Sequence, residues 1–178
     1  MGRPKAYLPF RDGTFLSSIS GVLGLRCSPV IAVFGFDAER LAGLAPEGVT
    51  PVRNPNYEMG MLTSLQAGLR AVPAACDTVL FTLVDHPAIS GETTDRLLQS
   101  DAAIAIPRFA GKRGHPVLVR RRIFEEFLEE PLSAKVRDLI DRHAGEIDYL
   151  EVDDPGISDD IDDPQLYEGL LAREALRR

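Results

Sequence analysis

Thr78-Val79-Leu80-Phe81-Thr82-Leu83-Val84 runs without a break into Asp85-His86-Pro87. The first seven residues are nearly all apolar, and several are β-branched or aromatic. Such a run predicts a strand covered on both faces and central in its sheet. Around it, short β-branched runs alternate with segments of helical period, the pattern of βα units stacked into a mostly parallel sheet. Upstream, Phe15, Leu16, Ile19, Val22 and Leu23 recur at helical spacing, Gly24 stands where that helix would end, and a strand follows over 29–34. A short helix over 37–44 leads to a strand over 50–53, after which Met61, Leu62, Leu65 and Leu69 form an apolar helical stripe. Downstream, 102–106 and 116–119 read as strands on either side of a Gly- and cation-bearing loop over 108–114. Phe124, Phe127 and Leu128 mark one helix, and Ser133 is the expected N-cap of a second that carries Val136, Leu139 and Ile140. A strand over 147–152 follows. Asp163-Pro164 then opens a last helix with Leu166, Leu170 and Leu171 turned inward.

The chain has 178 residues, 44% apolar and 26% charged, which suits one domain over 1–178 with a core of its own. Asp and Glu outnumber Lys and Arg by 27 to 20, a net charge of -7 that argues against general attraction to nucleic acid or to anionic membranes. A few converging cations, backbone N–H groups and a divalent metal still allow an anionic phosphate ligand. Cys27 and Cys76 stand far apart, so neither a zinc site nor a disulfide framework is indicated, and reduced thiols fit a cytoplasmic setting. No apolar run approaches the roughly 20 residues that cross a bilayer.

Five stretches carry chemistry. Met1-Gly2-Arg3-Pro4-Lys5 brings a lysine that, taken alone, reads as a solvated surface group. Asn54-Pro55-Asn56-Tyr57-Glu58-Met59-Gly60-Met61-Leu62-Thr63-Ser64 places Gly60 and Ser64 at a helix start, where free N–H groups and a hydroxyl can face a ligand or simply end a loop. Asp85 leaves the end of a strand, where ligands of open α/β sheets gather, although an Asp there also serves as a turn cap. Gly111-Lys112-Arg113-Gly114-His115-Pro116-Val117 reads as a phosphate-receiving loop or as a solvated basic connection. In Asp159-Asp160-Ile161-Asp162-Asp163, an extended backbone puts Asp160 and Asp162 on one face and Ile161 on the other; the bland alternative is an acidic turn.

In their order along the chain, these stretches resemble the motifs of the molybdenum cofactor nucleotidyltransferases, nearest the cytidylyltransferases. The resemblance implies a three-layer, Rossmann-like α/β domain and transfer of a nucleoside monophosphate from a triphosphate, CTP rather than GTP, to the terminal phosphate of molybdopterin. By residue, it implies Lys5 and Asp85 as catalytic groups and Gly2, Lys5, Gly60 and Ser64 as nucleotide-binding. It implies Gly114, His115 and Pro116 as acceptor-binding, and Asp85 with Asp162 as ligands of Mg2+, Asp160 being the fallback ligand. His86 is assigned no catalytic role. A sugar- or polyol-phosphate nucleotidyltransferase, or a non-catalytic accessory protein, are the other readings, and a molybdoenzyme or accessory protein is the macromolecular partner the resemblance allows.

The chain starts at the methionine of the family's Gly-rich phosphate motif, so the motif's first half and the strand before it have no counterpart here. The expectation is a start assigned to an internal methionine. With the first strand and Gly-rich loop missing, two neighbouring strands should have unpaired edges around an apolar slot, and stability should be marginal.

Overall fold

The computed structural model describes residues 4–176, so Gly2 lies outside the described residues. A two-residue hairpin, β1 (Pro9–Phe10) and β2 (Gly13–Thr14), precedes α1 (Phe15–Gly24), which begins with a reciprocal capping box between Thr14 and Ser17. Next come β3 (Val30–Phe34), α2 (Ala38–Ala42), β4 (Val49–Arg53), α3 (Met61–Arg70), β5 (Thr78–Phe81) and α4 (Gly91–Leu98). The second half holds β6 (Ile104–Phe109), β7 (Lys112–Arg113), β8 (Val117–Arg120), α5 (Arg121–Glu129), α6 (Val136–Arg142), β9 (Ile147–Glu151) and α7 (Pro164–Ala175).

The larger sheet is mixed. β8 lies between β5 and β6 and runs antiparallel to both, while β9 pairs parallel with β6 on its other edge. A mostly parallel sheet was expected; parallel pairing holds for β6–β9 and for β3–β4. The reversal follows from the tight turn after β6, where Ala110 and Gly111 both have positive φ and the chain folds straight back as β7. Side chains then alternate across this sheet. Ile104, Ile106, Val117 and Val119 pack with Leu62 and Leu69 of α3, Phe124 and Phe127 of α5 and Leu139 of α6; Ala105 and Leu118 face Leu97 of α4. The result is helices, sheet and helix in three layers, the α/β architecture expected from the pattern.

Local expectations meet tertiary packing with mixed results. Asp163 caps α7, accepting the Leu166 N–H at 2.9 Å. Of the three leucines expected inward on α7, only Leu170 is (2% exposed); Leu166 and Leu171 are exposed, because the helix touches the rest of the fold along a narrow strip. Ser133 does not cap α6, whose N-cap is Lys135 without a side-chain bond. Gln66 sits fully buried among the leucines of α3, and its amide group donates to the carbonyls of Phe127 and Glu130, tying α3 to the end of α5.

The run from Thr78 departs most from expectation. Its strand stops at Phe81 and forms one edge of the larger sheet; among the described residues it pairs only with β8, and β3 only with β4. Both strands run the same way. Their starts meet where the Cys76 thiol approaches the Ser28 carbonyl at 4.0 Å, and their far ends meet at Lys5 and Ala6, one beside Asp85 and the other packed with Phe34. Between them lies an apolar cavity of about 590 Å³, walled by the two strand edges and by α1 and α3. All four residues of β5 are therefore only half-buried. This is the expected slot: two strand edges face each other across a gap with apolar helices above and below. A chain lengthened ahead of Met1 by a strand-forming apolar segment should melt higher, by about 5 °C or more. Equal midpoints in a calorimetric comparison would show that the slot does not limit stability.

Candidate active site

Lys5 lies in a short 3-10 turn, Lys5–Tyr7, at the end of the slot where β3 and β5 finish. Ala6 and Tyr7 pack with Leu16, Phe34 and Leu41, and the Tyr7 hydroxyl donates to the Leu41 carbonyl, so the turn is fixed by its neighbours. The lysine ammonium group donates to the Asp162 carboxylate and stands 3.7 Å from Asp85 Oδ2. Burial works against its charge, yet the hydrogen bond to Asp162 and the fields of Asp85, Asp162 and Asp160 hold its pKa above the ordinary value.

Asp85 follows β5 by a short loop, and Asp160 and Asp162 arrive from the segment before α7. Ile161 between them is 3% exposed, seated against Leu8, Phe10, Phe15, Ala88 and Leu170, and its N–H donates to the Asp85 carbonyl at 3.3 Å. With Ile161 anchored inward, the two flanking carboxylates turn out together; the Asp162 N–H donates to the Asp160 carbonyl at 3.0 Å, so the backbone makes a tight turn here rather than the expected extended run. Asp85, Asp160 and Asp162 each bring an oxygen to within 4.8 Å of the others. Burial and the neighbouring charges of Asp162 and Asp85 raise the Asp160 pKa, whereas the hydrogen bond and charge of Lys5 lower that of Asp162.

His115 reaches this centre through His86. The two imidazoles stack with centroids 4.7 Å apart, and His86 Nε2 lies 3.6 Å from Asp85 Oδ1. Desolvation, followed by the charge of Lys5 for His86 and by His86 itself for His115, pushes both down to about 4. Both rings are therefore neutral at pH 7. Gly114 lies so close to the Ile157 carbonyl that no side chain would fit, the His115 N–H donates to the same carbonyl at 2.9 Å, and Pro116 is buried. Arg113 is engaged elsewhere, 2.8 Å from Asp141 and stacked over Tyr149. Gly114 and His115 are thus docked onto the Pro155–Ser158 turn, while Gly111, Lys112 and Arg113 are exposed.

Gly60 and Ser64 stand apart from this centre. Gly60 has φ +115°, which favours glycine, and opens α3; Ser64 accepts a hydrogen bond from Asn54 Nδ2 at 2.9 Å. Among the described residues neither shares a hydrogen bond or ion pair with Lys5, Asp85, Asp160 or Asp162. Asn54 opens that motif in the sequence but was given no role there: it is buried and also bonds Thr63 Oγ1 and the Asn56 N–H, holding the entry to α3. Its position before a proline, at the end of a strand, was the available signal.

An open α/β sheet with a lysine and three carboxylates at a strand's carboxyl end defines a nucleotidyltransferase-like protein, and comparison with known proteins gives the family. The MobA-like NTP transferase domain family matches residues 1–147, and the chain belongs to it. It is 31% identical over 162 residues to the molybdenum cofactor cytidylyltransferase of Escherichia coli K12, covering 85% of this chain and 81% of the relative. It is also 31% identical over 134 residues to nicotine blue oxidoreductase of Paenarthrobacter nicotinovorans, covering 67% and 64%. The structure of Rv0371C from Mycobacterium tuberculosis H37Rv, solved in complex with manganese, superposes with a TM-score of 0.75 at 26% identity, over 96% of this chain and 93% of that one. The chain is a nucleotidyltransferase of the MobA-like family.

The buried imidazoles set a pH dependence. Their pKa falls on folding, so the unfolded chain takes up protons first as the pH drops; the stability they permit is complete above about 6.5 and lost on the way down to about 4. The urea midpoint should fall across this window, and His115→Asn should make the fall shallower. Parallel pH profiles for the two proteins would contradict the burial argument.

Proposed function

We propose that this chain transfers a cytidylyl group from CTP to the terminal phosphate of a molybdopterin-type acceptor and releases pyrophosphate, with Mg2+ held by Asp85, Asp160 and Asp162. The observation that carries the reading is the meeting of these three carboxylates with Lys5 at the end of β5. The residues fit a hard divalent cation: all three donors are carboxylate oxygens, Asp85 Oδ1 is buried without a hydrogen-bond partner, and burial, followed by the charges of Asp162 and Asp85, raises the Asp160 pKa. When bound, such a metal would be held by these carboxylates and would supply Lewis-acid charge neutralisation to a phosphate ligand.

The remaining work falls to the chain's own groups. An acceptor phosphate oxygen attacks the α-phosphorus of the triphosphate, the new P–O bond forms, the bond from that phosphorus to the β-phosphate oxygen breaks, and the electron pair leaves with pyrophosphate. The attacking group is already an anion, so no general base is required, and alignment with charge balance governs the rate. Lys5, held protonated, supplies fixed positive charge beside the carboxylates. His86 and His115, neutral and packed together, shape the acceptor side without adding charge. Gly60 and Ser64 at the start of α3 fit a more distant part of the nucleotide, where free helix N–H groups face outward.

CTP is preferred over GTP on the A-x-L-P segment after Lys5, the Gly-His-Pro-Val loop and the likeness to a cytidylyltransferase. The relative named as an oxidoreductase is the weaker guide, because a carboxylate triad with a lysine suits phosphate chemistry. No helix among the described residues is long and apolar enough to cross a membrane. The acidic net charge disfavours nucleic acid and fits small phosphorylated substrates met with a divalent metal.

The test is transfer of labelled nucleotide from CTP or GTP to molybdopterin with Mg2+. Asp85→Asn should lower the rate by about a hundredfold or more, and removal of the divalent metal by chelation should abolish it. Preference for a sugar or polyol phosphate over molybdopterin would overturn the acceptor assignment, and absence of nucleotide binding would favour an accessory role.

A further inference from the structure

Asp154 is a carboxylate, 6% exposed, that takes no part in the chemistry above. Its Oδ2 accepts from the Ser90 N–H at 2.9 Å and from the Thr93 hydroxyl at 2.8 Å; its Oδ1 accepts from the Gly156 N–H at 3.0 Å. The donors belong to two different stretches. Ser90 and Thr93 lie at the start of α4, directly downstream of the Asp85 loop. Gly156 lies in the Pro155–Ser158 turn that feeds the segment of Asp160 and Asp162. The stretches approach closely here: Gly156 sits so near the Ala88 carbonyl that a side chain could not be accommodated. The same turn presents the Ile157 carbonyl to the His115 N–H, and Ile161 closes the arrangement at its other end by donating to the Asp85 carbonyl.

We propose that Asp154 is a positioning residue of the metal site, holding the segment of Asp160 and Asp162 in register with the loop of Asp85. This rests on the reading that those three carboxylates bind a divalent cation. Two like-charged groups brought from one segment toward a third on another must be held by something outside the cluster, since they repel one another until a cation arrives. Asp154 supplies that hold through two oxygens, one for each stretch. A carboxylate is required because both oxygens accept. An asparagine offers one accepting oxygen and an NH2 group, so whichever way it faces, a backbone N–H of Ser90 or Gly156 meets another donor. One link is lost and the ligand segments separate. Arg173 of α7, paired with Asp159, braces the same segment from its outer side.

The experiment uses the full chain and Mn2+ alone as probe, with binding followed by electron paramagnetic resonance and folding by circular dichroism. Asp154→Asn should weaken Mn2+ binding about tenfold to a hundredfold, the range seen when groups supporting metal ligands are changed. It should raise the metal concentration for half-maximal transfer while leaving kcat at saturating metal nearly unchanged. Ile123→Val, a change in the core away from the site, should lower the thermal midpoint without moving Mn2+ affinity. Should Asp154→Asn not fold, Thr93→Val carries the test; it removes one donor to Asp154 and should weaken Mn2+ binding several-fold. A folded Asp154→Asn that binds Mn2+ as tightly as the parent overturns the proposal, as does a Thr93→Val with parental affinity where Asp154→Asn cannot be measured. A parent that binds no Mn2+ removes the metal reading itself and the proposal with it.

Discussion

Three carboxylates kept within 4.8 Å of one another repel, and much of the structure around them exists to hold them there. Solvent screens this repulsion at Asp160 and Asp162, which are exposed, and least at Asp85, the more buried of the three. The opposing forces can be named. Lys5 neutralises part of the charge, Ile161 anchors Asp160 and Asp162 by burying the residue between them, and the main chain of Ile161 bonds that of Asp85. Asp154 and the Arg173–Asp159 pair secure the same segment at a distance. Each acts through contacts that keep a ligand segment from drifting.

The divided sheet bears on this centre. β5 delivers Asp85 but is paired on one side only, and the turn that carries Lys5 closes one end of the cavity on its other side. Ala6 lines the cavity while Lys5, its neighbour, meets the carboxylates, so the apolar slot and the charged site share a wall. Whatever steadies the edges of β3 and β5 also steadies the lysine and the first carboxylate. On the opposite side the two neutral histidines and the tightly packed Gly114 join the site to the Pro155–Ser158 turn.

One fold hosts many activities, and the names of this chain's relatives include both a transferase and an oxidoreductase. Function therefore has to be argued from the site. Here the site brings together a lysine held protonated beside three carboxylates, imidazoles kept neutral by burial and a buried carboxylate oxygen without a hydrogen-bond partner.

The order of helices and strands and the capping of α7 by Asp163 were legible in the sequence, because each depends on local periodicity or on one side chain reaching its own backbone. Lys5, Asp85 and Asp162 were legible as a group only through the order of several motifs, since nothing local joins residues so far apart in the chain. The slot was expected from the resemblance, but that β5 would be the strand beside it was not legible, because an apolar run of this kind reads as a central strand. Nor was the burial of Gln66, the neutrality of His86 and His115, or the grip of Asp154, an acidic residue before Pro155-Gly156 that reads as an ordinary turn. These are matters of desolvation and of hydrogen bonds between distant segments. The sequence by itself determined which elements form and which residues carry charge; the tertiary structure alone decided which of those charges meet, which are stripped of water, and where a sheet edge stays open, because those quantities come into being only when the segments pack.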